Sequence, residues 1–195
     1  RGNADQSITE SFTVKSGCDG FSANSSDLED SELEFSSGVE KNVVEYTRDG
    51  LVSAMETKRY TRNQGSMLKQ YAGGELVQYE YTSEGYTLRT KTLLFSLTWD
   101  SGLNTFVRKN EILKEDYNDP SRMDIFGNAA LSFYNEYQIQ DGKDGLSDEG
   151  RIDYSEGTLL GGNIKVKTRF INGGKAKESR TYKFVVDWEG TAATN

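Results

Sequence analysis

The sequence predicts an all-β protein, an antiparallel meander of about nine to eleven strands, as a barrel or strongly curved sheet in preference to a sandwich. Three observations carry this. Glycine punctuates the chain in "RDGL" (48–51), "AGGE" (72–75), "SEGY" (83–86), "DSGL" (100–103), "DGKDG" (141–145), "LGGN" (160–163) and "NGGK" (172–175). Each of these reads as a turn between stretches rich in Val, Tyr, Thr, Phe and Leu, which is the pattern of hairpins joined in series. Proline occurs once, at Pro120, so nothing bars those stretches from pairing inside a sheet. Finally, apolar and polar residues alternate with a period of two, as a strand with two different faces requires.

The elements follow in order. Residues 1–32 form a polar N-terminal segment with one plausible strand, "SITESFTVK", whose Ile8, Phe12 and Val14 fall on one face; the acidic "SANSSDLEDSELE" after it reads as a solvated loop. The longest break, "EDYNDPSRMDIFGN" (115–128), is read in two ways. Ser121 could open a short helix carrying Ile125, Ala129 and Phe133, while Leu131, Phe133, Tyr137 and Ile139 alternate as a strand; Gly127 limits the chain to at most one short helix before that strand. The clearest hairpin joins "NIKVKTRFI" to "SRTYKFVVDW". Ile164, Val166 and Phe170 share one face of the first, and Tyr182, Phe184, Val186 and Trp188 one face of the second, with polar residues turned out and apolar ones in. The whole is one domain, 1–195, ending in a short tail at 190–195.

"EYTRDGLVSAME" and "EYTSEGYTLRTK" resemble the tyrosine-rich YD (Rhs-type) hairpin repeat, with Tyr46 and Tyr81 each four residues before a glycine. The resemblance covers about two dozen residues. It implies stacked hairpins and carries over no toxin or adhesion role.

Composition closes several chemistries. Apolar residues make up 34% of 195, and no run approaches the ~18 needed for a membrane-spanning helix. A net charge of −8 repels phosphate backbones and anionic headgroups, so no nucleic-acid partner is expected, although Lys58-Arg59-Tyr60-Thr61-Arg62 is locally basic. There is no His, which removes imidazole bases and histidine metal sites, and a single Cys, which removes internal disulfides. Catalysis would have to rest on carboxylates, Tyr, Lys, Ser, Thr or a metal. With no phosphate loop and no serine paired to a base, the reading leans away from an enzyme, and no cofactor is expected. Cys18 in "KSGCDG" lacks the hydrophobic approach of a lipid-attachment signal. A chain that begins without Met is expected to be processed or trimmed, and its Ser-, Thr-, Asn-, Gly- and Tyr-rich composition fits an extracytoplasmic protein, secreted, periplasmic or in the cell envelope. Asn24-Ser25-Ser26 is a glycosylation acceptor by motif.

The stretch "QYEYTSEGYTLRTKTLLFSLTW" (78–99) holds the candidate ligand site. A turn at Ser83-Glu84 with Gly85 left-handed sets Tyr81 opposite Thr87, Tyr79 opposite Arg89 and Val77 opposite Lys91. In that register Tyr79, Tyr81, Arg89, Lys91, Phe95 and Trp99 share one face, apolar at one end, cationic and phenolic at the other. Either the face walls a pocket suited to an anionic amphiphile, or a β-bulge near Thr90 to Thr92 flips the cations into solvent. In both cases Trp99 faces the core. The acidic "QDGKDGLSDEGRIDYSEG" (140–157) offers Asp144 and Asp148 as calcium ligands against the plainer reading of an acidic loop. Three function classes follow: a binding protein for a small amphipathic ligand or glycan, a structural or adhesive module with an exposed tyrosine-rich sheet, and a carboxylate enzyme acting on glycans.

Overall fold

Four five-residue turns of one geometry organise the chain, at Thr47–Leu51, Thr82–Tyr86, Asp124–Asn128 and Ser147–Arg151. In each, the first and fifth residues close a backbone hydrogen bond and the fourth N–H donates to the first carbonyl. The fourth residue is always a glycine in the left-handed region: Gly50 (φ 81°), Gly85 (85°), Gly127 (80°) and Gly150 (73°). A side-chain oxygen of the first residue accepts from the fifth N–H, at 3.0 Å in Thr47, 3.3 Å in Thr82, 2.9 Å in Asp124 and 3.2 Å in Ser147. The turn read from the sequence at Ser83-Glu84-Gly85 is therefore formed as expected.

The computed structural model describes residues 5–20, 33–62, 68–170, 176–186 and 192–194. Ten strands follow in chain order: β1 (Gln6–Val14), β2 (Leu33–Tyr46), β3 (Val52–Arg62), β4 (Lys69–Tyr81), β5 (Thr87–Asp100), β6 (Thr105–Asn118), β7 (Leu131–Ile139), β8 (Gly157–Phe170), β9 (Ala176–Val186) and β10 (Ala192–Thr194). Each pairs antiparallel with the next in one sheet of order β1 to β10. The meander is as expected. Closure is not: among the described residues the sheet is open, with β1 and β10 at its edges. No α-helix occurs among those residues. The segment after β6 makes a single 3-10 turn, Pro120–Arg122, whose cap is Asp119, accepting from Ser121 N, and not Ser121. Leu131 onward is the strand reading realised. Trp188, Asp187, the "NGGK" glycines, Asn24 and most of the acidic N-terminal loop lie outside the described residues.

Two of the glycine pairs taken for turns lie inside strands. Ala72-Gly73-Gly74 is in β4 and Leu160-Gly161-Gly162 in β8. In both, one extra residue (Ala72, Leu160) bulges out of the pairing with the preceding strand. Ser36 does the same in β2. Two residues beyond each bulge stands a glycine, Gly38, Gly74 or Gly162, directly opposite an aromatic residue of the following strand: Tyr60, Phe95 or Phe184. The ring lies over the glycine. A Cβ at Gly38 would overlap the Tyr60 ring, and one at Gly74 would overlap the Thr57 carbonyl and come 2.9 Å from Phe95. These glycines admit a close neighbour; they do not turn the chain.

One face of the sheet, here the front, is partly covered. The loop 140–156 between β7 and β8 folds back over it as a lid. Leu76, Leu93 and Leu113 from three adjacent strands, with Ile139, pack against Ile152 of the lid, joined by Tyr137, Leu146 and Tyr154. Leu93 and Leu113 are wholly buried, each stabilising by about 1.5–3 kcal/mol relative to exposure. Polar contacts pin the lid across the sheet. Buried Gln78 accepts from Ile152 N (2.9 Å) and donates to Gly150 O (3.1 Å), Asn110 donates to Asp144 O (2.6 Å), and Arg151 forks onto Glu45 at 2.6 and 2.8 Å.

Toward the outer strands large apolar side chains lie in water. Ile164 does pair with Tyr182 as the alternation required. Yet Tyr182 is exposed, as are Ile8, Phe12 and Val14 of β1, so the apolar-in pattern of these strands meets no second layer. Replacing Gly74 by Ala should destabilise by about 1–3 kcal/mol or more in urea titration, since the added methyl has nowhere to go. Gln78→Leu should cost about 1–3 kcal/mol by stranding the Ile152 amide and should speed that amide's hydrogen exchange.

Candidate functional site

The six residues assigned to a ligand face divide between two faces. A bulge at Leu88, opposite Glu80 and Tyr81, keeps Tyr81 against Thr87 but slips every later pair by one: Glu80 faces Arg89, Tyr79 faces Thr90, and Val77 faces Thr92. The bulge exists, two residues nearer the turn than the Thr90 to Thr92 expected for it, and it leaves the cations on the same face as Leu93. Tyr79 and Tyr81 therefore lie on the back face, their rings stacked at 6.2 Å, with the Tyr81 hydroxyl donating to Val52 O at 2.7 Å. Arg89, Lys91, Phe95 and Trp99 stay on the front face with Leu93.

They do not form one pocket there either. Arg89 pairs with Glu115 (3.1 Å) and Glu80 (3.4 Å), and Lys91 with Glu80 (2.9 Å). Their cations sit over the rings of Tyr117 (5.1 Å) and Tyr154 (5.8 Å). The anionic partner that Arg89 needs is thus supplied by adjacent strands. Phe95 is buried under Arg108, whose guanidinium lies 3.8 Å from its ring centre and pairs with Glu56 at 3.0 Å. Trp99 is not in the core: it is 51% exposed. It stands at the end of β5, past the last residue that β4 covers.

Trp99 belongs instead to a row of rings across six strands of the front face. Phe12 meets Phe35 at 5.8 Å, Phe35 stacks on Tyr60 at 5.9 Å, and Tyr60 meets Tyr71 at 5.7 Å. Tyr71 then meets Phe106 edge-on at 5.5 Å, and Phe106 meets Trp99 at 5.1 Å. These are the offset and edge geometries that the ring quadrupole favours. Charged groups fix the middle of the row. The Tyr60 hydroxyl donates to Glu10 (2.6 Å), which also holds Arg62, and the Tyr71 hydroxyl donates to Glu40 (2.8 Å), which also holds Lys69. Burial, then the carboxylate beside each, pushes both phenols up to about 12. Burial acts against the Glu40 carboxylate, but its bonds to Lys69 and Tyr71 prevail and hold it below the usual range.

At the Trp99 end the row opens into a slot. The pairing of β4 with β5 stops at Gly73 and Ser96, although β4 begins at Lys69 and β5 runs to Asp100. The Ala72 bulge turns β4 away at this point. The space between the parted strands is about 580 Å³, lined by Leu68, Tyr71, Leu97, Trp99 and Phe106, with Lys69, Gln70 and Thr98 as its polar members. A second depression of about 520 Å³ lies between β6 and the lid residues 140–144 and is mostly polar. Neither places a nucleophile beside a base.

The acidic loop holds no metal cluster. The Asp144 carboxylate accepts from Leu146 N at 2.9 Å, and Asp148 occupies a turn with Glu149. Among the described residues no three acidic, His or Cys side chains converge as metal ligands. No helix among them is long and apolar enough to cross a membrane. Comparison with protein-family models, curated proteins and solved structures finds no match for this chain.

Phe35, Tyr71 and Phe106 escaped the reading of the sequence, which placed Phe12 only on a strand face and Tyr60 only in a basic stretch. The signal was there in part: "FSSG" (35–38) and "YAGG" (71–74) set a ring three residues before a strand glycine. Because the folded pKa of Tyr60 and Tyr71 lies above the ordinary ~10, these phenols stabilise fully below pH ~10 and progressively less as pH rises toward 12. Ultraviolet titration should show a late-ionising fraction of the tyrosines, reduced by about one phenol in each of Tyr60→Phe and Tyr71→Phe and not abolished, because burial also pushes up the Tyr134 and Tyr154 phenols, with stability falling over the same pH window.

Proposed function

We propose that the protein is a non-enzymatic binding module that seats an apolar or aromatic group of its ligand in the slot between Tyr71, Trp99 and Phe106. The half-exposed Trp99 carries this reading. A tryptophan left in water beside other rings gains apolar contact only when something else covers it, and such patches mark interaction sites. Phe106 fixes the indole edge-on, so little freedom is lost when a ligand arrives. The polar rim suits a group with an anionic or hydroxyl-bearing edge. Lys69 supplies a cation, shared with Glu40, while Gln70 and Thr98 supply hydrogen-bonding atoms.

The front-face carboxylates favour binding over catalysis at the slot; Asp116, whose carboxyl burial pushes up, lies on the back face. Glu10, Glu40, Glu56, Glu80 and Glu115 are each committed to a cation. Two carboxylates with opposed proton affinities, as a glycosidase needs, require at least one of them uncommitted. The composition supports a place outside the cytoplasm; fractionation that recovers the protein with cytosolic markers would remove that part of the proposal.

Calorimetric titration with naphthoate and with a short β-linked oligosaccharide tests the slot. Saturable binding of at least one is expected in the parent and in Arg89→Ala, and not in Trp99→Ala. Because Trp99 is half exposed, its loss should lower stability by only about 1 kcal/mol, well short of a core tryptophan. Binding that survives Trp99→Ala, or no binding of either probe, would sink the proposal.

A further inference from the structure

We infer that the group seated in the slot is the Ile125–Phe126 tip of a second copy of this chain, so that molecules associate head to tail. This rests on the slot being a binding site, and the chain itself supplies the reason for naming its occupant. The four like turns of the fold form an internal control. Their two central positions are Arg48-Asp49, Ser83-Glu84 and Asp148-Glu149 in three cases and Ile125-Phe126 in the fourth. The turn geometry is met three times with polar residues, so it does not ask for apolar ones. Yet Ile125 is 81% exposed and Phe126 72% exposed, the most outward pair of large apolar neighbours among the described residues.

The tip is held in shape. Asp124 accepts from Phe126 N and Asn128 N, each at 2.9 Å. The Tyr86 hydroxyl donates to Ile125 O at 2.7 Å, and its ring lies so close to Gly127 that a Cβ there would meet it. Met123 pairs with Ala129 below the turn, and Ala130 N donates to Arg122 O. Two apolar side chains presented on an ordered loop need little further ordering to dock, the condition under which few residues can anchor an interface.

The tip and the slot belong to opposite ends of one strand. Phe106 of the slot is near the start of β6, the tip follows its end at Asn118, and β6 has 14 residues, roughly 45 Å. The tip therefore cannot reach the slot of its own molecule. It can reach that of another. A contact between two different patches of one chain is heterologous and propagates to a further copy at each end. The slot's 580 Å³ is within the range of pockets that enclose small apolar groups. The charged residues also agree. Lys69 is the charged member of the slot lining, and Glu84 and Asp124 are those of the cleft beside the tip.

Sedimentation velocity over a wide concentration range reads the assembly, with Ile125→Ser/Phe126→Ser as the tip variant and Trp99→Ala as the slot variant. All three changes are at exposed positions. The parent should sediment progressively faster as concentration rises, and each variant alone should stay monomeric. An equimolar mixture of the two variants retains one intact tip and one intact slot, so it should form a dimer and nothing larger. A parent that stays monomeric, a variant that associates as the parent does, or a mixture that remains monomeric would overturn the inference. If naphthoate or oligosaccharide still binds with Trp99 dependence in a parent that never associates, the binding reading stands and only the occupant is wrong. Cosedimentation with phosphatidylcholine vesicles that depends on Phe126, without self-association, would also overturn it by assigning the tip to a membrane surface.

Discussion

A ring laid over a glycine on the neighbouring strand holds this sheet in register. The contact recurs at Tyr60 over Gly38, Phe95 over Gly74 and Phe184 over Gly162, each two residues past a bulge. A one-residue slip would take each ring off the glycine it covers and move every side chain to the other face. Because each strand pairs its backbone only with its sequence neighbours, the meander behaves as a linear array in which such local contacts do much of the work that a central core does elsewhere. The slot follows from the same device: the bulge at Ala72 that brings Gly74 beneath Phe95 also ends the pairing of β4 with β5, and Trp99 is left without a covering strand.

A single sheet has two faces, and here part of one is covered by a described loop. That loop is the lid 140–156, and the fully buried leucines of adjacent strands lie where it crosses. This accounts for a composition unusually polar for a folded chain of this length. Along β9, where no described segment lies above, long apolar residues would stand in water, and the exposed positions are taken largely by Lys, Glu, Ser, Arg and Thr. Gln78 matters out of proportion to its size, since its amide meets both the N–H of Ile152 and the carbonyl of Gly150. Without it the crossing loop would bury backbone groups with nothing to bond them.

The distribution of charge separates support from function. Arg89, Lys91, Glu80 and Glu115 lie in the middle of the sheet and pair with one another, which balances the charge of cations set among tyrosines. The exposed rings and aliphatic chains at Trp99, Phe12, Ile125 and Phe126 have no such internal explanation. The proposed binding role rests on this apolar surface left in water, and not on the cationic centre.

The sequence by itself determined the strand class, the meander and the turn at Ser83-Glu84-Gly85, because period-two alternation and a left-handed glycine are properties of a few adjacent residues. It also determined that no imidazole serves in this sequence, since there is no histidine. Three things were decided only by tertiary structure. Gly73-Gly74 and Gly161-Gly162 look like turns, and only the ring and carbonyl of other strands show them to be mid-strand close approaches. The bulge at Leu88 leaves no mark on the residue itself, yet it sends Tyr79 and Tyr81 to one face and Arg89 to the other. Trp99 alternates as a core residue should, but whether a strand lies over it depends on where β4 stops following β5. Alternation says which side of a strand a residue is on; what stands on that side is set by segments far away in the chain.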